Sequence, residues 1–170
     1  MRQFAWIVMV ISFVFTNIQK VNSQKNFDLA VGIGIQEMAH VAVRYQLNQF
    51  KAGINIGSLP NKSTKSITYS GDVYYHFGGK SKYTAVRPWF VCSGLTCHRS
   101  EDNLSIINDR WIYLRAGRDF NLSKKLGISI DAGLSKRLTY KEEFKRPTSS
   151  WKLFDFTEWP SGAFEFYYRF

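Results

Sequence analysis

The sequence predicts an all-β chain, an eight-stranded antiparallel up-and-down β-barrel that crosses a membrane with its strands. Three observations carry this expectation. Apolar residues recur with a period of two in eight separate runs, each closed by turn-type residues, as strands do when their two faces meet different surroundings. The apolar face of each run is long and nearly free of charge, while the other face mixes Gly, Ala and Ser with sparse charges of both signs. The connections also tend to alternate between short and long, as in barrels with tight turns at one end and longer loops at the other.

The first strand is expected at 27–35, where Phe27, Leu29, Val31, Ile33 and Ile35 oppose Ala30, Gly32 and Gly34. In the second, 39–47, Ala39, Val41, Val43, Tyr45 and Leu47 oppose His40, Ala42, Arg44 and Gln46. After Asn48 and Gln49, the third sets Phe50, Ala52, Ile54 and Ile56 against Lys51, Gly53, Asn55 and Gly57. The fourth, 67–77, opposes Ile67, Tyr69, Gly71, Val73, Tyr75 and Phe77 to Thr68, Ser70, Asp72, Tyr74 and His76. The fifth, 89–97, is the least regular, because Phe90 and Cys92 stand on its polar side. In the sixth, 111–120, Ile112, Leu114, Ala116 and Phe120 share a face that Arg118 interrupts. The seventh, 126–135, opposes Leu126, Ile128, Ile130, Ala132 and Leu134 to Gly127, Ser129, Asp131, Gly133 and Ser135. The last is the C-terminal "GAFEFYYRF", with Gly162, Phe164, Phe166, Tyr168 and Phe170 on one side and Ala163, Glu165, Tyr167 and Arg169 on the other. No segment carries a helical period.

Alternation alone fits a soluble barrel with an apolar core or a membrane barrel with an apolar exterior. The polar face decides, since a water-facing side would be rich in Lys, Glu, Thr and Gln. Small residues with a balanced set of charges suit an enclosed space where opposite walls share volume and buried charges are paired. Arg44, Lys51, Asp72, Arg115, Asp119, Asp131, Glu165 and Arg169 are therefore expected inside a filled lumen.

Connections after even strands read "NQ", "GGKSKYTAVR" and "NLSKK"; those after odd strands read "QEM", "SLPNKSTKS", "HRSEDNLSIINDR" and a long stretch over 139–159. With eight strands, both termini fall at the end of the shorter turns. Phe27, Tyr45, Phe50, Tyr75, Phe77, Trp89, Phe120, Tyr168 and Phe170 fall at that same rim and would form an interfacial aromatic belt. Arg118 lies near it, where a long side chain reaches the headgroups.

The N-terminus has its own character. Arg2 precedes an apolar run from Phe4 to Phe15, with Ser23 before a cleavage point, so 1–23 reads as a secretory signal and 24–170 as the barrel domain. The run is too short for a spanning helix. Removing Arg2 and Lys20 lowers the formal charge from +10 by two, to +8. These charges are scattered through loops and strand alternations rather than concentrated on one element, which argues against nucleic acid as a partner. Export permits a disulfide, but Cys92 and Cys97 lie on opposite faces of a continuous strand, and their bond stays undecided.

Three pieces, "RPWFVCSGL", "LRAGRDFNLSKKLGISIDAGL" and the aromatic C-terminus, resemble the small bacterial outer-membrane β-barrel proteins of the OmpA/OmpX type, including porin-like barrels. As pattern the resemblance covers the mature chain, and as motif most of its second half. It implies a place in the bacterial outer membrane, with lipid as surroundings. It also implies that Phe164, Phe166, Tyr168 and Phe170 form the signal read by the barrel-assembly machinery. Cys92 and Cys97 depart from the pattern, which has small or aromatic residues there.

The leading functional expectation is a filled barrel, structural or acting on a protein partner through its long loops, with Trp151, Phe154, Phe156 and Trp159 as exposed contacts. One alternative is a small-solute pore, although eight strands leave an interior about wide enough for their own side chains. Another is suggested by resemblance to lipid A deacylases, which carry His and Ser two positions apart near the outer rim; His98 and Ser100, beside Glu101, match that spacing, which also arises readily by chance. A soluble lipocalin-like carrier lacks its C-terminal helix pattern and its early Gly-x-Trp. "GIGIQE" and "GGKSK" fail as nucleotide motifs, and two Cys and three distant His make no metal set. No catalytic residue, cofactor or metal is expected.

Overall fold

A computed structural model describes residues 26–59, 64–145 and 157–170. The segment 1–23, expected to be a secretory signal, and the aromatic residues Trp151, Phe154 and Phe156 lie outside them. The strands are β1 (Phe27–Gly34), β2 (Met38–Leu47), β3 (Phe50–Ser58), β4 (Lys65–Gly78), β5 (Trp89–Glu101), β6 (Ser105–Asn121), β7 (Leu126–Phe144) and β8 (Glu158–Arg169). Each pairs antiparallel with its sequence neighbours, and β1 pairs with β8, giving a closed barrel. The chain is thus all-β with the strand number and direction that its periodicity predicts.

The alternation sets which face closes inward. On β2, His40, Arg44 and Gln46 are buried while Val41, Val43, Tyr45 and Leu47 are exposed. The same division runs round the barrel, so charged side chains fill the middle and aliphatic ones cover the outside. Inside, Tyr74, Phe90, Cys92 and Tyr113 form a small cluster, which explains the irregular face of β5: Phe90 packs edge-on to Tyr74 with centroids 5.4 Å apart. Gly94 gives this cluster room, since a Cβ there would lie 2.7 Å from Asp72 Oδ1.

Local chemistry fixes the turns at the end bearing the termini. Asn48 takes the left-handed conformation, φ 54°, which Asn tolerates in a two-residue hairpin turn. The Gln46 amide donates to the carbonyls of Asn48 and Phe50. Ser123 Oγ accepts from the N–H groups of Lys125 and Leu126.

The connection expected over 98–110 is not a loop. β5 and β6 continue as a paired hairpin to Glu101 and Ser105, and Asp102 Oδ1 closes it by accepting from the N–H groups of Leu104 and Ser105, both at 2.7 Å. β7 likewise runs on to Phe144 rather than ending near 135. In these extensions a single alternation no longer marks the strand. Across β6–β7, Arg110 pairs with Thr139 and Trp111 with Arg137, so Leu138 is an extra residue that flips the facing of everything beyond it. β5 to β7 consequently rise beyond the rim formed by β1 to β3.

Candidate functional site

The chemistry of the chain is concentrated on the inner wall, in layers along the barrel axis. Nearest the termini, Asp28 lies 3.0 Å from Lys51 Nζ and 3.1 Å from Arg169 Nε, and Lys51 reaches Asp119 at 3.6 Å. Lys51 and Arg169 also stand over the Tyr167 ring, each 5.5 Å from its centroid. In the next layer Arg44 forks onto Glu165, Nη1 to Oε2 at 2.6 Å and Nη2 to Oε1 at 2.5 Å. The His40 ring bridges Glu165 Oε1 at 2.8 Å and the Met38 carbonyl at 3.0 Å. A buried carboxylate meeting a guanidinium bidentately is the strongest pairing available to it.

Across the lumen, Asp72 accepts from the hydroxyls of Tyr113 and Tyr74 and from the Asn55 amide at 2.6 Å. The Arg115 guanidinium lies 3.8 Å above the Tyr113 ring. Its Nη2 donates to both oxygens of Glu37 at 2.8 and 2.9 Å and to Gln36 Oε1 at 3.1 Å. Its Nε donates to Ser161 Oγ, and Asp131 stands 3.5 Å away. Gln36 and Glu37 belong to the turn between β1 and β2, which folds inward over this layer. Gly57 admits it, because a Cβ there would collide with the Glu37 carbonyl oxygen. Met38 takes the left-handed conformation, φ 62°, the local strain that this inward fold entails.

Of the charges expected inside, Arg44, Lys51, Asp72, Arg115, Asp119, Asp131 and Glu165 are all buried, and Arg169 is half-buried at the mouth. Asp28, Glu37, His40 and His76 are buried with them. Asp28 was legible, since it continues the Ala30, Gly32, Gly34 face by one more step. Glu37 was not, because a three-residue turn has no periodicity.

Phe164, Phe166 and Tyr168 form one outward row on β8, with Phe170 directly after it; Phe164 and Phe166 pack at 5.1 Å, and Tyr168 and Phe170 at 5.0 Å. Beside them, Phe27 packs on Tyr45 at 5.0 Å and Phe50 on Tyr75 at 4.9 Å.

The far mouth holds a cavity of about 270 Å³ lined by Gln36, His98, Asp109, Trp111, Arg137 and Trp159, among others. His98 and Ser100 are strand residues of β5, not parts of a loop. His98 Nδ1 lies 3.6 Å from Asp109 Oδ1, and two residues along one strand separate His98 from Ser100 by about 7 Å. Cys92 is buried and Cys97 exposed, and both are free. Among the described residues no group of three or more His, Cys, Asp or Glu side chains is placed to hold a metal ion. Comparison with family models, curated proteins and solved structures gave no match.

Proposed function

We propose that this chain is an integral barrel of the bacterial outer membrane, with a closed lumen, acting on partners through the end opposite its termini. One observation carries the reading. Among the described residues, the outward face between the termini and a far ring of Lys65, Arg99, Arg110, Lys136 and Glu158 bears a single charge, Arg118. Aliphatic side chains there stand open, Leu114 at 65% and Leu134 at 68% exposure. On β6 this band runs over 112–120, about 30 Å of strand, or about 23 Å along the axis at a tilt of about 40°. That height suits the hydrocarbon of an outer membrane. A water-soluble monomer rarely exposes so much contiguous apolar surface.

The bidentate pair of Arg44 and Glu165, the Arg115–Glu37 pair and the Tyr rings between them occupy the lumen, which favours a plug over a channel. Function then resides in the raised β5–β7 extension and the far mouth. The test is fractionation with gel mobility. The full chain should sediment with outer membrane and migrate differently unboiled and boiled, and planar bilayers containing it should show no stepwise conductance. Recovery in the soluble fraction, or a regular conductance step, would refute the respective half of the proposal. Loss of a lipid A deacylase activity on Ser100→Ala would establish the enzymatic alternative instead.

A further inference from the structure

Among the described residues, exposed cations occur at both ends of the barrel, but unburied acidic side chains occur at one end only. Every described acidic side chain that is not buried, Glu101, Asp102, Asp109, Glu142, Glu143 and Glu158, lies at the far end. At the end of the termini the only acidic side chains among the described residues are Asp28 and Asp119, both buried in the lumen. Six of the described cations are exposed there: Lys80, Lys82, Arg87, Arg118, Lys124 and Lys125.

These six share one sector of the rim. Lys80, Lys82 and Arg87 lie on the connection from β4 to β5, and Lys124 and Lys125 on the turn from β6 to β7, so they bracket the ends of β5 and β6. Arg118 stands between them on the outer face of β6, paired in register with Trp89. Its guanidinium lies 5.2 Å from the Trp89 ring centroid and 5.1 Å from that of Phe120. The two aromatics hold it in place, and among the described residues no carboxylate neutralises it. Ile130 is its register partner on β7, and Val91 and Ala116 come next beyond it on the same surface, all three exposed. A fixed cation at an aromatic belt, flanked by lysines and continuous with an apolar wall, complements a molecule with an anionic head and hydrocarbon tails.

We propose that the β4–β7 sector of this rim binds an anionic phospholipid, its phosphate on Arg118 and its acyl chains against the Val91, Ala116 and Ile130 columns. The inference rests on the membrane reading and adds to it a lipid class and a place. The opposite sector, with Phe27, Leu47, Asn48, Gln49 and Phe50, presents no exposed cation among the described residues and selects no such lipid.

The experiment uses the full chain refolded into vesicles of phosphatidylcholine alone or mixed with phosphatidylglycerol, extracted gently and weighed with its retained lipids by native mass spectrometry. Phosphatidylglycerol should be retained in preference. Arg118→Gln should weaken that preference about fivefold, and Arg118→Gln with Lys124→Gln and Lys125→Gln on the order of a hundredfold. Lys65→Gln with Lys141→Gln and Lys145→Gln removes the same charge from the far end and should leave it intact. Equal retention of both lipids, equal loss in both triple variants, or sn-glycerol phosphate binding as tightly as the lipid would each overturn the inference. A chain that enters phosphatidylcholine vesicles but shows no preference refutes only this site, whereas one that enters no vesicle refutes the membrane reading with it.

Discussion

Arg115 on β6 holds both carboxylate oxygens of Glu37, at 2.8 and 2.9 Å, and so ties the turn between β1 and β2 to the other side of the lumen. Breaking a buried pair by deleting one partner strands the other charge and typically costs about 3–5 kcal/mol, whereas replacing both with apolar groups is often neutral. Arg115 keeps Gln36, Ser161 and Asp131 nearby, so Glu37→Ala should cost about 3 kcal/mol, at the lower end of that range. Glu37→Ala with Arg115→Met should recover most of it. Urea unfolding midpoints in bilayers check this, and a loss under about 1 kcal/mol for Glu37→Ala would leave only the net worth of an ordinary hydrogen bond.

Glu165 serves two basic groups, Arg44 and His40. Glu165→Gln keeps the shape and removes the charge, so it should destabilise the barrel by about 3–5 kcal/mol. Arg44→Gln added to it should return part of the loss. Additive losses in the double variant would contradict the pairing.

Gly57 should be replaceable only by unseating the turn above it. Gly57→Val puts side-chain atoms where the Glu37 carbonyl lies, while Gly71→Val is a fair control, because the nearest atom to a Cβ there is 3.9 Å away. Amide exchange at Gln36 and Glu37 should speed up by about tenfold or more in the first variant and stay unchanged in the second. Equal exchange in both would show that Gly57 does not seat the turn.

Two groups at the far end give opposite pH responses. The N–H groups of Ser105 and then Leu104 hold the Asp102 carboxyl below its ordinary 3.8. A depressed folded value means that the closure of the β5–β6 tip is fully stabilised above about pH 4 and loses that stabilisation as pH falls through the folded value beneath it. Weaker protection of those two amides in that acid range, relative to the exchange of an unstructured amide at the same pH, is the expected reading, and Asp102→Asn should remove the pH dependence of that protection. The Tyr140 hydroxyl is pushed up to about 12 by desolvation, and next by the Glu142 carboxylate to which it donates at 2.7 Å. Its contribution is complete below 10 and is lost as pH rises through about 12. Tyrosinate absorbance of wild type minus Tyr140→Phe should titrate near 12; an ordinary phenol titration would contradict the contact.

Strand number, direction and facing were legible because each strand of the barrel has an enclosed face and an outer face, and that contrast is written into alternate residues. Val41, Arg44 and Tyr45 are clear examples. The β5–β6 extension was hidden because, beyond the apolar band, Ile106 and Ile107 stand side by side and both are half-buried. The bulge at Leu138 has no sequence mark, since one inserted residue resembles any other. Glu37 was unreadable for a different reason: its place depends on Gly57 and Arg115, 20 and 78 residues away, and neither distance leaves a local pattern.

In the proposed orientation, aliphatic side chains face hydrocarbon while ionic ones are enclosed. Leu114→Cys in a Cys97→Ser background places a spin label on the outer face of β6, and collision rates in vesicles then compare membrane-dissolved oxygen with a water-soluble nickel complex. The account predicts strong relaxation by oxygen and almost none by nickel at 114, with the reverse for a label at Lys141 on the raised extension. Ready collision with nickel at 114 would mean that this face meets water, and the account would fail.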